Sequence, residues 1–151
     1  MRKRTQSREC ALQILYQVEM NPGPPEKVIA DFWEHEDRVP EEVRRFAETL
    51  ALGTLNQLKE IDEIIVRATE NWQLGRMAAI DRNILRFATY ELLFLEEVPP
   101  KVTINEAVNI AKKFSQEESG KFVNGVLDKI SHTEKARFLP KAEGLSDDKP
   151  A

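Results

Sequence analysis

The chain has 151 residues, 41% of them apolar and 32% charged, which suits one compact domain with a real core and a soluble surface. No apolar run approaches the ~20 residues needed to span a bilayer, and no apolar stretch of signal-peptide type follows the basic residues 1–10. Cys10 is the only cysteine, which excludes an intrachain disulfide and a cysteine-based zinc site and makes a reducing, cytoplasmic setting the default.

The net charge of −4 is spread unevenly. Residues 1–10 carry Arg2, Lys3, Arg4 and Arg8 against Glu9 alone, a local +3, whereas residues 26–63 hold eleven acids against five bases. An anionic polymer is repelled by the second region and drawn to the first, so the acidic balance does not exclude nucleic acid.

Apolar spacing then predicts helices along most of the chain. Leu12, Ile14, Leu15 and Val18 put one face of a first helix on the core. Asn21-Pro22-Gly23-Pro24-Pro25 breaks it, and a second helix from about Glu26 buries Val28, Ile29, Phe32 and Trp33. Pro40 opens a third, with Glu41 and Glu42 favoured at the positive helix N-terminus. Its pattern continues to Ala68, too long for one helix in so small a chain, so a break is expected between Asn56 and Lys59. Residues 71–75 read as a connector, residues 76–95 as another helix, and Pro99-Pro100 as its stop. Thr103-Ile104-Asn105-Glu106 has the form of a capping box starting a helix to about Lys113, and Ser119 suits the cap of a last helix through Phe122, Val126 and Ile130. Beyond residue 131 the periodicity fades into a polar tail expected to be disordered. With no strand alternation and no repeat, the expected class is all-α.

Catalytic chemistry is scarcely suggested. His35 and His132 have no neighbours in sequence that point to metal or acid–base work, and the six glycines form no phosphate-binding loop. Acid pairs such as Glu41-Glu42 and Glu117-Glu118 sit where helix starts favour carboxylates. The expectation is a non-enzyme with no cofactor and no metal.

Two features suggest binding instead. Arg2, Lys3, Arg4 and Arg8 offer planar donor forks suited to phosphate, and such segments often order on RNA, although a solubilising, frayed terminus has the same composition. Lys112, Lys113 and Lys121 bracket the connector at 114–120, and Phe122 follows; cations beside an aromatic suit single-stranded RNA. Phe122 equally fits a core stripe with Val126 and Ile130. Asn124 either reads a base or satisfies backbone groups at its own turn.

Four ordered blocks carry a resemblance. Arg8-Glu9-Cys10-Ala11-Leu12-Gln13-Ile14-Leu15-Tyr16 is similar to the opening of the bacterial transcription antitermination factor NusB family. Asp81-Arg82-Asn83-Ile84-Leu85-Arg86 with Tyr90-Glu91-Leu92 resembles its central helix. Val102-Thr103-Ile104-Asn105-Glu106-Ala107-Val108 with Ala111-Lys112, and then Lys121-Phe122-Val123-Asn124-Gly125-Val126-Leu127-Asp128, resemble its C-terminal signature. The resemblance spans residues 4 to about 131. It implies two packed three-helix bundles of six to seven helices in all, divided here as 1–70 and 71–131, with 132–151 as tail. It also implies pairing with a small-subunit ribosomal protein, NusE, binding of boxA-type RNA by the pair, and action within the RNA polymerase antitermination complex during ribosomal RNA synthesis. Arg2, Lys3, Arg4 and Arg8 then match the RNA-binding arm, Lys121 and Phe122 match residues near the RNA path, and Asp81 matches an acid on the partner face.

Three points depart from that pattern: the stiff Pro-rich linker at 21–25, the added negative charge of Glu118 near the RNA path, and the tail. Two other functions fit the same fold. One is a protein-interaction module without RNA affinity. The other is the RNA-binding front of a ribosomal RNA cytosine methyltransferase, which needs a following cofactor domain that this sequence is too short to hold. A homodimer of the free protein is compatible with each reading.

Overall fold

Proline sets several of the helix starts. In both Pro24-Pro25 and Pro99-Pro100 the second ring forbids helical backbone at the first, which stays extended (ψ 139° and 141°), while the second occupies the opening helical position. The computed structural model describes residues 2–36, 38–70 and 72–134, and every α-helix or 3₁₀ turn among them falls in one series: α1 Lys3–Met20, α2 Pro25–Glu34, α3 Glu41–Asn56, α4 Leu58–Ala68, a 3₁₀ turn Leu74–Arg76, α5 Ala79–Phe94, α6 Pro100–Phe114 and α7 Glu117–Thr133. The fold is all-α, as the periodicity implies. No helix among the described residues is long and apolar enough to cross a membrane.

The expected break between Asn56 and Lys59 falls at Gln57, whose backbone N–H turns back to the Gly53 and Thr54 carbonyls. Four other boundaries differ from expectation. Helix α5 begins at Ala79 rather than 76, because residues 74–76 form the 3₁₀ turn. Thr103 and Glu106 form no capping box: the Pro99-Pro100 pair starts α6 three residues earlier, and both side chains are taken by a buried ion pair described below. Ser119 does not cap α7, which starts at Glu117 with two acids in its first turn, where the helix dipole favours them. Helix α7 also runs past His132, and Glu134 beyond it is buried and paired with Arg67 at 3.3 Å. The remaining tail, 135–151, lies outside the described residues.

Helix α5 is the hub. It packs against α1, α3, α4, α6 and α7, and Ile84, Leu85, Phe87, Ala88, Leu92 and Leu93 are fully buried around nearly its whole circumference. Helices α2 and α3 both pack on α1 on one side, and α6 and α7 pack on each other on the other. Helix α4 packs mainly on α5 and α7. Gly53 lets α3 approach this hub, since a methyl there would collide with the Tyr90 ring. Cys10 is buried, and burial first, then Glu36 and Glu9, push its thiol up to about 11, leaving it protonated and inert at neutral pH.

A polar cluster fastens α1 to α5. Glu19 accepts hydrogen bonds from Arg82 and from Asn83 (2.8 Å) and an ion pair from Arg86 (3.2 Å), while Arg86 also forks onto Asp62 of α4 at 2.9 and 3.0 Å. Arg82 continues to the Leu74 and Met77 carbonyls at 2.9 and 3.0 Å, pinning the 3₁₀ turn. Burial alone would raise the Glu19 carboxyl, but the hydrogen bonds from Arg82 and Asn83 and the charges of Arg82 and Arg86 outweigh it and hold it below its ordinary 4.5. Its stabilisation is therefore complete above about pH 4.5, the unfolded value, and is lost as pH falls through the lower folded value. Glu19→Gln should cost about 1–3 kcal/mol at pH 7 by leaving Arg82 short of a charged partner. In urea titrations across pH 3–7 the gap to the parent protein should narrow on the acid side; a pH-independent gap would remove Glu19 as an acid-labile anchor.

Candidate nucleic-acid interface

The basic start of α1 separates into two environments. Arg2 sits in extended backbone just before the helix and is exposed, as are Lys3 and Arg4. Lys3 reaches Glu42 at 3.0 Å, an exposed pair of little energetic weight. The Arg4 guanidinium lies 3.7 Å from the Phe46 ring centroid, a cation–π contact that holds it at the surface without neutralising it. Clefts of 240 and 480 Å³ flank Arg4 on its two sides; Arg45 and Thr49 line the first, Arg2 and Val102 the second.

Arg8 belongs elsewhere, and the expectation that it faces RNA needs correction. Its side chain is only 3% exposed, and its Nε and Nη2 donate to the two oxygens of fully buried Glu91 at 2.9 and 2.6 Å. The Thr103 hydroxyl donates a third hydrogen bond to Glu91 at 2.7 Å. Glu106 lies 3.5 Å from Arg8 and accepts from the Thr5 hydroxyl at 2.6 Å. A guanidinium so enclosed cannot also pair a phosphate. Arginines at positions 4 and 8 look alike in sequence; only the partner carboxylate from α5, 83 residues away, distinguishes them.

The second basic group follows the same seam. Thr5–Glu106 and then Glu9–Lys113 (3.0 Å) bridge α1 to α6, so Lys113 stands further along the surface that Arg4 begins. Its Nζ also lies 5.2 Å from the Phe114 centroid. The aliphatic stem of Lys112 crosses Gly120 at the start of α7, which brings Lys121 next to that end of α6. Lys121 and Asn124 are exposed, and neither side chain has a hydrogen bond or ion pair among the described residues. They stand about 60° apart around α7, whereas Phe122 and Asn124 are about 160° apart, so those two cannot hold the same base. Phe122 is half-buried and turned toward the α4–α5 connector, where its ring meets Trp72 at 5.7 Å between centroids and 59° between planes. Phe122 thus packs against the core while part of its side chain stays exposed.

Asp81, expected on a partner face, is half-buried and engaged within the chain. One of its oxygens accepts from the Ser119 hydroxyl at 2.9 Å, and the other is covered, with no hydrogen bond. It latches the first turn of α5 to the first turn of α7, the turn that leads into Lys121 and Phe122. Trp72, passed over in sequence as part of a connector, is half exposed beside these residues. A large aromatic set in a polar turn was the available signal. Among the described residues, no group of three or more His, Cys, Asp or Glu side chains is arranged to hold a metal ion.

The sequence pattern of the NusB family matches residues 5–132. This chain belongs to the NusB family. A relative from Desulfitobacterium hafniense named transcription antitermination protein NusB is 50% identical over 125 residues, covering 82% of this chain and 84% of its own. A NusB of the same name from Desulforapulum autotrophicum is 44% identical over 131 residues, covering 86% and 92%. Among solved structures, T. maritima NusB superposes with a TM-score of 0.80 at 36% identity, covering 89% of this chain and 94% of that one. A structure described as antitermination factors NusB and NusE in complex with dsRNA gives 0.79 at 30% identity, covering 87% and 98%. Within the NusB match lie the Arg8–Glu91 pair, α6 and all of α7 but its last residue; Arg2, Lys3 and Arg4 precede it.

The burial of Arg8 separates anchor from arm in a measurable way. Glu91→Ala should destabilise the protein by about 3–5 kcal/mol, because it leaves a buried guanidinium without its carboxylate. Arg8→Ala should be nearly as damaging, whereas Arg4→Ala should change stability by less than about 1 kcal/mol. Chemical denaturation of the three variants checks this ordering, and an Arg8→Ala protein as stable as the parent would return Arg8 to the surface.

Proposed function

We propose that this protein is a transcription antitermination factor that binds boxA-type single-stranded RNA of nascent ribosomal transcripts together with a small-subunit ribosomal protein, NusE, in the cytoplasm and without catalysing a reaction. The observation that carries this reading is the run of cations along the α1–α6 seam onto α7: Arg2, Lys3 and Arg4, then Lys113, then Lys121 beside the surface edge of Phe122. Cations spaced beside an aromatic suit a single strand, whose phosphates need charge and whose unpaired bases need a flat surface. The names of the relatives and the solved NusB–NusE–dsRNA complex support the same partners.

The roles divide by chemistry. Arg2, Lys3, Arg4, Lys113 and Lys121 supply phosphate contacts, which set affinity and salt dependence rather than sequence. Sequence preference requires base contacts, for which Phe122 and Asn124 remain the candidates, acting on different nucleotides because they face different sides of α7. Arg8 acts by holding the start of α1 in place, and Asp81 by holding the first turn of α7. The acids concentrated in residues 26–63 suit a basic ribosomal protein, since complementary charge speeds encounter and rejects wrong partners.

Binding of a boxA-type RNA, with and without the ribosomal protein, to the parent and to a variant with Arg2, Lys3 and Arg4 changed to Ala tests this. The partner should tighten binding. The variant should bind all RNA sequences more weakly, with a salt slope reduced by up to about 2. If the parent binds no RNA even with its partner present, it is a protein-interaction module; unchanged binding by the variant would move the RNA away from the arm.

A further inference from the structure

Residues between α4 and α5 hold an indole in solvent where a polar turn would suffice. Trp72 is 50% exposed, and its turn is built rather than slack. Glu70 adopts φ 57°, the left-handed region that costs a non-glycine residue energy. The Trp72 backbone N–H donates to the Thr69 carbonyl at 3.3 Å, and the Thr69 hydroxyl lies 3.1 Å from the Val66 carbonyl and 3.4 Å from that of Trp72. From below, Arg82 pins the Leu74 and Met77 carbonyls. Hydrogen bonds thus hold the Trp72 backbone, and its ring meets Phe122 with half the residue's surface open.

Two cavities meet at this ring. One of 650 Å³ is bounded by Thr69, Glu70, Trp72, Gln73 and Arg76. The other, of 280 Å³, includes Trp72, Arg76, Asp81, Gln116, Glu118 and Phe122 in its lining. Arg76, common to both, is exposed and has no ion pair among the described residues. Lys121, next in the chain to Phe122, is exposed and equally unpaired.

These charges sort the two parts of a nucleotide. The carboxylates of Asp81, Glu118 and Glu70 keep a phosphate out of the cavities but do not repel an uncharged base. Arg76, on the lining of both cavities, stands where a phosphate next to that base can pair with it. We propose that Trp72 and Phe122 together form a stacking site for an unpaired RNA base, with Arg76 pairing the adjoining phosphate. The site rests on the RNA-binding reading above and extends its path from Phe122 across the α4–α5 connector. A basic protein side chain is the other occupant that an aromatic ring ringed by acids can hold, but Arg76 on both cavities repels it.

The chain has two tryptophans, and Trp33 is 9% exposed, so Trp72 serves as its own reporter. The experiment titrates a boxA-type single strand, its duplex and the ribosomal protein separately into the full-length parent and its Trp72→Ala, Trp72→Phe and Arg76→Gln variants. It reads indole emission and the affinity for labelled RNA. The single strand should quench the parent's emission, and the quench should vanish in Trp72→Phe while affinity stays within a few-fold. Trp72→Ala should bind the single strand roughly five- to 150-fold more weakly, with its affinity for the ribosomal protein alone unchanged. Arg76→Gln should lower the salt dependence. Unquenched emission together with undiminished RNA affinity in Trp72→Ala overturns the site. So does a loss confined to the ribosomal protein, which would make the cavity a protein contact. If the parent binds no RNA with its partner present, the RNA-binding reading itself falls and takes this site with it.

Discussion

Burying a guanidinium is tolerable only if a carboxylate is buried with it and both are fully hydrogen-bonded. Arg8 and Glu91 meet that condition in the interior, with Thr103 and Glu106 completing the set. The residues come from α1, α5 and α6, so the pair can form only when all three helices stand in one arrangement. A buried pair contributes little net stability over an apolar substitute, but a wrong arrangement strands a charge. It therefore penalises any packing that separates the two groups. The position of the N-terminal arm follows from it, because Arg8 lies one turn below Arg4.

A second polar cluster does the same for the other end of α1. Glu19 gathers Arg82, Asn83 and Arg86, and those arginines reach on to the 3₁₀ turn and to Asp62 of α4. Helix α5 supplies the central residue of the first cluster and three members of the second. It is buried on nearly all sides, so few of its polar residues can turn to water. Arg82, Asn83 and Glu91 are polar residues facing inward, each with a partner.

The surface that remains divides by charge. Cations follow the seam from α1 through α6 to α7, while acids dominate residues 26–63 on α2, α3 and α4. A chain of net negative charge thereby presents a positive track to a phosphate backbone and an acidic flank to a basic protein. The connectors matter to this division as much as the helices do. The α4–α5 connector carries Trp72 and Arg76 to the edge of α7, and the α6–α7 connector sets Lys121 beside Lys112.

The residues by themselves determined the class and most of the element list. The 3.6-residue spacing of apolar side chains, the proline pairs and the overlong third segment placed the helices and the break at Gln57, because these signals are local and act through backbone geometry. The four family blocks were equally legible. What the sequence could not separate was side chains of identical chemistry in different surroundings. Arg4 and Arg8 share one basic run, but only Arg8 meets a carboxylate from α5. Thr103 and Glu106 have the spacing of a cap, but proline had already started the helix and the ion pair claimed them. Asp81 looked like a surface acid until Ser119 was beside it, and Trp72 looked like a linker residue until Phe122 was. Each outcome depends on groups distant in sequence, 83 residues apart for Arg8 and Glu91 and 38 for Ser119 and Asp81. Burial and pairing are properties of the packed chain, and only the tertiary structure decides them.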